Sequence, residues 1–244
     1  MTQTTGQHAH DEDQPEHGHA HEHEHRGDPR GQDASEEWGR DYWEDRYSAP
    51  GLQWSGDPNP VLVAEASPLE PGRVLDVGSG EGGDALWLAS RGWRVTGVDI
   101  SQNALDKAAA SARERDGVDP EQLSWQQADL TSWSPTRASF DLVTAHFMHL
   151  PLADRQRLFP ALAEGVAPGG TLLIVGHDAD ALPGGAGRHG DPGMLFTLDE
   201  VVGRLDPGTW QVDVAEVRPR DMTGPDGDVW HVADVVVRAT RRAV

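Results

Sequence analysis

The chain has no cysteine, which excludes disulfides, thiolate metal sites and a cysteine nucleophile together, and makes a reducing cytoplasm the expected compartment. Basic residues are scarce. Lys and Arg number 20 against 41 Asp and Glu, the formal net charge is -21, and Lys107 is the sole lysine. A surface that binds phosphates needs a basic footprint, so neither nucleic acid nor an anionic membrane is an expected partner. No window approaches 18 apolar residues, the length a bilayer-spanning helix needs. The beginning of the chain also lacks the basic-then-apolar pattern of a secretory signal. Small neutral or cationic molecules remain as candidate substrates, and 244 residues suffice for one ordinary domain plus an appendage.

From residue 35 onward the chain acquires apolar periodicity. Ser35 reads as a helix cap followed by Glu36 and Glu37, with Trp38, Tyr42 and Arg46 on one helical face and Trp43 and Tyr47 on the next. A loop over 49–59, rich in Pro and Gly, carries Trp54, and a short helix over 61–66 follows. Strands are then predicted at 74–77, 94–98, 123–127, 140–145 and 171–175. Helices are predicted between them at 83–90, from the Ser101 cap to about 115, and at 152–166, where Pro160 should kink or break the last. Gly169-Gly170 should turn the chain into the fifth strand. After a glycine-rich loop, Thr197 and Glu200 form a capping box for a helix reaching about Leu205. Two alternating runs, 210–217 and 229–238, form an antiparallel pair at the sheet edge. The pattern is an α/β fold, a mostly parallel sheet with helices on both faces.

Gly78-x-Gly80-x-x-Gly83 lies between the first strand and its helix, where backbone can approach a ligand closely. Asp99 ends the next strand, 21 residues beyond Gly78, where a carboxylate meets two ribose hydroxyls. These features alone specify a nucleoside-containing cofactor, and a nicotinamide dinucleotide fits them. Asp76, two residues before Gly78, stands where a dinucleotide site keeps a small or apolar residue. Asp129, after the third strand and beside Leu130, is placed to accept from an adenine amino group. Asp141 starts its strand, far from the ligand edge, and reads as structural.

With these residues together, the chain resembles the class I methyltransferases that use S-adenosylmethionine. The matching segments are Val74 to Gly82, Val98 to Ser101, Ala128 to Leu130 and Phe140 to Val143. The resemblance covers roughly 35–240 and implies a Rossmann-like seven-stranded sheet, order 3-2-1-4-5-7-6, with the last strand antiparallel. Trp43-Glu44-Asp45-Arg46-Tyr47 and Gly82 to Ala89 are similar to elements of the thiopurine- and tellurite-type enzymes. The resemblance places Trp43, Arg46, Tyr47, Asp76, Gly78, Ser79, Gly80, Asp99, Ile100, Asp129, Leu130 and Ala145 at the cofactor, with Arg46 or Tyr47 reaching its carboxylate. It also implies transfer of a methyl group to a small-molecule acceptor, with sulfur or a metalloid anion as one option.

Methyl transfer from a sulfonium is an in-line displacement that depends on alignment and desolvation, and needs a base only when the nucleophile arrives protonated. His146, His149 and His177 (followed by Asp178) are the candidate bases, and Trp54, Arg188 and His189 sit in loops that could roof an acceptor. A non-catalytic cofactor or metal binder that kept the fold is the competing class.

Residues 1–34 form a separate segment holding His8, His10, His17, His19, His21, His23 and His25 among acids, with almost nothing apolar. Such a composition is expected to stay disordered, and no fixed metal site is expected in it. Alternating histidines nevertheless supply imidazole ligands for weak divalent-metal chelation. Calorimetric titration of the tail peptide with Zn²⁺ near neutral pH should therefore show binding heat, and a flat titration would remove the metal reading.

Overall fold

Short apolar runs bounded by glycine and proline become strands, and the amphipathic runs between them become helices. The computed structural model describes residues 38–148, 150–180, 192–223 and 229–243. Ser35, Glu36, Glu37, His149, Arg188, His189 and the histidine-rich tail lie outside the described residues. In chain order the elements are α1 (Arg40–Ser48), α2 (Pro60–Ala66), β1 (Arg73–Val77), α3 (Gly83–Ser90), β2 (Arg94–Asp99), α4 (Gln102–Glu114) and β3 (Leu123–Gln127). They continue as β4 (Phe140–His146), α5 (Leu152–Gly165), β5 (Val166–His177), α6 (Leu198–Val202), β6 (Trp210–Thr223) and β7 (Val229–Arg241). Helix starts follow local chemistry: Asn59 caps α2 ahead of Pro60, and the Ser101 hydroxyl accepts from Ala104 N at the start of α4.

The seven strands form one sheet in the order β3-β2-β1-β4-β5-β7-β6. Pairs among β1 to β5 are parallel, and β7 is antiparallel to both β5 and β6, as the resemblance implies. Alternate residues feed two cores. Leu75, Val77, Val98, Val143 and Ile174 pack with Leu158, Phe159 and Leu162 of α5 on one face. Val74, Val95, Leu142, Leu173 and Val175 pack with Leu62 of α2 and Leu88 of α3 on the other. A sheet covered on both faces explains why its central strands read as continuous apolar runs.

Three local expectations are corrected. Pro160 does not break α5, which runs through it. Pro160 and Gln156, whose carbonyl loses its helical partner, are both exposed to solvent, while the neighbours Phe159 and Leu162 are buried. Gly169-Gly170 does not separate α5 from a strand beginning at Thr171; β5 already pairs at Val166 with Phe140, and the glycines form an irregularity before Thr171 rejoins at Leu142. Helix α6 is only five residues long. Thr197 does accept from Glu200 N, but the Glu200 carboxylate pairs with Arg155 of α5, so the capping box is half made. Asp141 lies where expected, accepting from Arg73 N at 2.7 Å at the strand-start edge. Among the described residues no helix is long and apolar enough to cross a membrane.

Gly97 of β2 pairs in register with Trp125 of β3, and a Cβ there would stand 2.5 Å from the Trp125 ring and 3.0 Å from Ser79 Oγ. Gly97→Ala should therefore lower unfolding free energy by about 1–3 kcal/mol through overpacking. Urea denaturation followed by tryptophan fluorescence measures this, and an unshifted midpoint would mean that the ring yields freely.

Candidate functional site

The carboxyl ends of β1, β2, β4 and β5 open into a cavity of about 940 Å³, the usual ligand edge of a parallel sheet. Its floor is the turn from β1 to α3. Gly78, Gly80 and Gly82 adopt φ of +72°, +50° and +84°, a region that favours glycine. A side chain at Gly80 would also come within 3.2 Å of the Tyr47 hydroxyl.

The turn is hydrogen-bonded internally. Gly78 N and Ser79 N donate to Val98 O, Gly80 N to Asp99 Oδ2, and Gly82 N to Ser79 O. Expected as donors for a ligand, these N–H groups are already engaged; the turn provides close approach instead. A pyrophosphate depends on free N–H donors and an open helix N-terminus. Here a Cβ on Gly83, the first residue of α3, would lie 2.7 Å from Asp57 O, and Asp84 in its first turn accepts from Asn59 N. Backbone and carboxylates occupy the anion position, which weighs against a dinucleotide.

The three spaced acids all line the cavity. Asp76 is buried, and its Oδ2 has no hydrogen-bond partner. Burial, together with the charges of Asp84 and Asp99, pushes its carboxyl well above the usual range. Asp99 accepts from Ser101 N at 2.9 Å and Gly80 N at 2.8 Å; burial raises its carboxyl, against the pull of those donors. One bond to each oxygen leaves acceptor capacity on both. Asp129 Oδ1 is taken by the backbone and hydroxyl of Thr131, with Leu130 beside it on the wall. Ile100 also lines the cavity, whereas Ala145, expected there, is a core residue 1% exposed and belongs to the packing against α5. Its side chain falls on the sheet face opposite Asp76 because alternation along the strands sends it there.

The opposite wall comes from α1 and the loop after it. Trp43 stacks on Tyr47, and the buried Tyr47 hydroxyl accepts from Trp54 Nε1 at 2.9 Å. Burial is the largest influence that pushes this phenol above its ordinary range. Arg46 places its guanidinium 5.2 Å from the Trp54 ring and 6.0 Å from Trp43, and its Nε is buried without a partner. Carboxylates that sequence reasoning passed over hold this wall in place. Glu44 caps α4 by accepting from Ser101 Oγ, Gln102 N and Asn103 N. Glu81 accepts from Gln53 N, Trp54 N and Lys107 Nζ. Each contact joins residues at least 26 positions apart, so no local signal announces them.

Two of the three candidate bases reach the cavity, and His149 is outside the described residues. His146 is engaged at both nitrogens, Nδ1 with Asp84 at 2.6 Å and Nε2 with Thr144 at 2.8 Å. His177 Nδ1 contacts Asp234 at 3.0 Å, and Asp234 also pairs with Arg220. Phe147, next to His146, holds φ of +49°, a strained value for a bulky residue that occurs at sites where geometry is imposed. No sequence signal marks it.

A family described as "Methyltransferase domain" matches residues 74–170. Trans-aconitate 2-methyltransferase of Streptomyces avermitilis is 35% identical over 110 residues, covering 44% of this chain and 39% of that protein. Probable thiol methyltransferase 2 of Arabidopsis thaliana is 28% identical over 148 residues, covering 59% of this chain and 64% of that one. The chain thus spans less than two thirds of either relative. In fold it is similar to the crystal structure of TehB from Haemophilus influenzae, with a TM-score of 0.64 at 19% identity, covering 83% of this chain and 67% of TehB. The sheet order, the glycine turn with its spaced acids and the matched segment agree: residues 74–170 match a methyltransferase domain, set in the strand order that the resemblance to the class I S-adenosylmethionine-dependent methyltransferases implies.

Proposed function

We propose that the protein transfers the methyl group of S-adenosylmethionine to a small-molecule acceptor. The observation that carries this reading is the unpartnered, buried Asp76 oxygen facing a cavity that also holds an under-bonded guanidinium, Arg46. A buried carboxylate without a donor is costly, and a ligand ammonium relieves it. The guanidinium answers a ligand carboxylate. Together they match the zwitterionic amino-acid end of this cofactor, which a nicotinamide dinucleotide lacks. Asp99 would take the ribose diol, Asp129 the adenine amino group, and Ile100 with Leu130 the faces of the purine. Gly78, Ser79 and Gly80 would let the ligand approach the backbone, with Tyr47 and Trp43 closing the far side.

When bound, the cofactor supplies an electrophilic methyl group on a sulfonium. The protein's share is alignment and exclusion of water, which the Trp54 loop and the aromatic face of α1 provide. A small acceptor is supported by the cavity volume of about 940 Å³, near the upper end for small-ligand sites. The net charge of -21 argues against RNA as acceptor.

Calorimetry should show S-adenosylhomocysteine binding and no displacement by NADH; the reverse preference would overturn the cofactor reading. Asp99→Ala and Arg46→Met should each weaken that binding about tenfold or more, the loss expected for a hydrogen bond to a charged group. Transfer of radiolabelled methyl to a metabolite panel tests the activity itself.

Asp76 adds a pH-dependent outcome. Its folded carboxyl lies above the ordinary value of 3.8, so the folded apoprotein holds that proton more tightly than the unfolded chain. The associated stability is present at acid pH and declines as pH rises from the unfolded value through the folded one. Asp76→Asn should flatten this decline, raise the apoprotein melting temperature near neutrality, and weaken S-adenosylhomocysteine binding. A lower melting temperature would contradict the burial penalty.

A further inference from the structure

Residues 49–59 join α1 to α2 without a helix or strand of their own, and Ala49 to Ser55 are all exposed to solvent. A strap of this kind gains little from burial, so its shape depends on what holds its backbone. Lys107 of α4 donates to Ala49 O at 2.9 Å, to Gly51 O at 2.6 Å and to Glu81 Oε1 at 3.1 Å. An ammonium has three donors, and these acceptors match them. Glu81, in the turn after β1, also accepts on Oε2 from Gln53 N at 2.9 Å and Trp54 N at 3.1 Å. Its side chain is 2% exposed, and Lys107 supplies the counter-charge that makes such burial tolerable. Farther along the strap, Arg115 Nη1 donates to Gly56 O at 3.2 Å.

Trp54 is the one aromatic residue of the strap. At 43% exposure its ring is too open to serve as core, yet it is fixed at two points, its N on Glu81 and its Nε1 on the Tyr47 hydroxyl at 2.9 Å. The Arg46 guanidinium stands 5.2 Å from that ring. Arg46 Nη1 reaches the Tyr42 hydroxyl at 3.4 Å, and its Nε is buried without a partner. An aromatic neighbour restrains a guanidinium through the π face and leaves in-plane N–H donors for a carboxylate. Arginine loses much side-chain freedom when a ligand orders it, and less when the protein has ordered it beforehand. A series of contacts thus runs from Lys107 through Glu81 and Trp54 to Arg46, crossing α4, the turn after β1, the strap and α1.

We infer that Lys107, Glu81 and Trp54 are positioning residues for the carboxylate of the cofactor, acting on it through the Arg46 guanidinium. This rests on the methyl-transfer reading and its pairing of Arg46 with that carboxylate. The effect belongs to one end of the ligand. On the same reading Asp99 takes the ribose and Asp129 the adenine, and these acids are held by other partners, Gly80 and Ser101 for the first and Thr131 for the second. Loosening the strap therefore costs binding of a ligand that carries the carboxylate and spares one that lacks it. Charge acts in the same direction: Glu81 lines the cavity, and without Lys107 its negative charge would repel a carboxylate brought there.

The test is calorimetric binding of two ligands, S-adenosylhomocysteine and its decarboxylated analogue, which keeps the adenosine, the thioether and the ammonium. Wild type should prefer S-adenosylhomocysteine, and Arg46→Met should remove the preference. Lys107→Met and Trp54→Leu should each weaken S-adenosylhomocysteine about tenfold, the order of one arginine's ordering cost, and the decarboxylated analogue less than about threefold. Lys107→Arg, which keeps the charge, should lose less than Lys107→Met. Added to Arg46→Met, Lys107→Met should cost less than about twofold more, because residues that act through one contact are not additive. Equal losses on the two ligands, additive losses in the double variant, a wild type without preference, or a folded Lys107→Met that binds S-adenosylhomocysteine as tightly as the wild type would each overturn the inference. Melting curves identify a variant that fails to fold, and Trp54→Leu, at an exposed position, then carries the comparison. A wild type that binds neither ligand would strike the methyl-transfer reading itself, and this inference with it.

Discussion

Val98 and Asp99 hold the turn after β1 in place. The Val98 carbonyl receives two consecutive N–H groups, from Gly78 and Ser79, and Asp99 receives the next, from Gly80. A chain that turns this sharply exposes several adjacent donors, and in a buried setting each must be paired. Pairing them with the neighbouring strand joins β2 to the start of α3. The same carboxylate that lines the cavity therefore also holds its floor. Glycine is required at the turn because the donors face the strand only with φ in the left-handed region. Gly97 extends the constraint: Ser79 and Trp125 both need the volume its missing side chain leaves.

A floor satisfied from within changes what the site recognises. It offers shape and proximity but few donors, and its surrounding groups are mostly acids. Recognition shifts to the walls, and the N-terminal wall is attached by carboxylates. Glu81, with its side chain only 2% exposed, accepts two loop N–H groups and the ammonium of Lys107, which also donates to Ala49 O and Gly51 O. A buried acid is tolerable when its oxygens are matched in this way. The sole lysine thus has a structural assignment, although in sequence it looks like a compositional accident.

Strands, helices and the positions of the spaced acids were legible because they depend on short-range periodicity and on a motif only a few residues long. Asp76, Asp99 and Asp129 were found by their distances from strand ends, and all three line one cavity. What escaped depends on packing between distant segments. The resemblance places Ala145 at the ligand, yet alternation turns it into the core. Pro160 signalled a kink or a break; the helix does not break, because burial of Phe159 and Leu162 holds it through that position. Glu44 was simply part of an aromatic-rich helix until α4 supplied the N–H groups it caps.

The matched segment contributes only part of the cavity wall. The family match ends at residue 170, within β5. It therefore contains the glycine turn, Asp76, Asp99 and Asp129, which face the part of the cavity assigned to the cofactor. His177, Arg220 and Asp234 all lie beyond it, on the end of β5 and on the antiparallel pair β6 and β7. Of these strands only β6 is an edge, paired with β7 alone, whereas β7 lies between β5 and β6. The Asp234 pairing with Arg220 and His177 is where the last third of the chain meets the cavity that the spaced acids line.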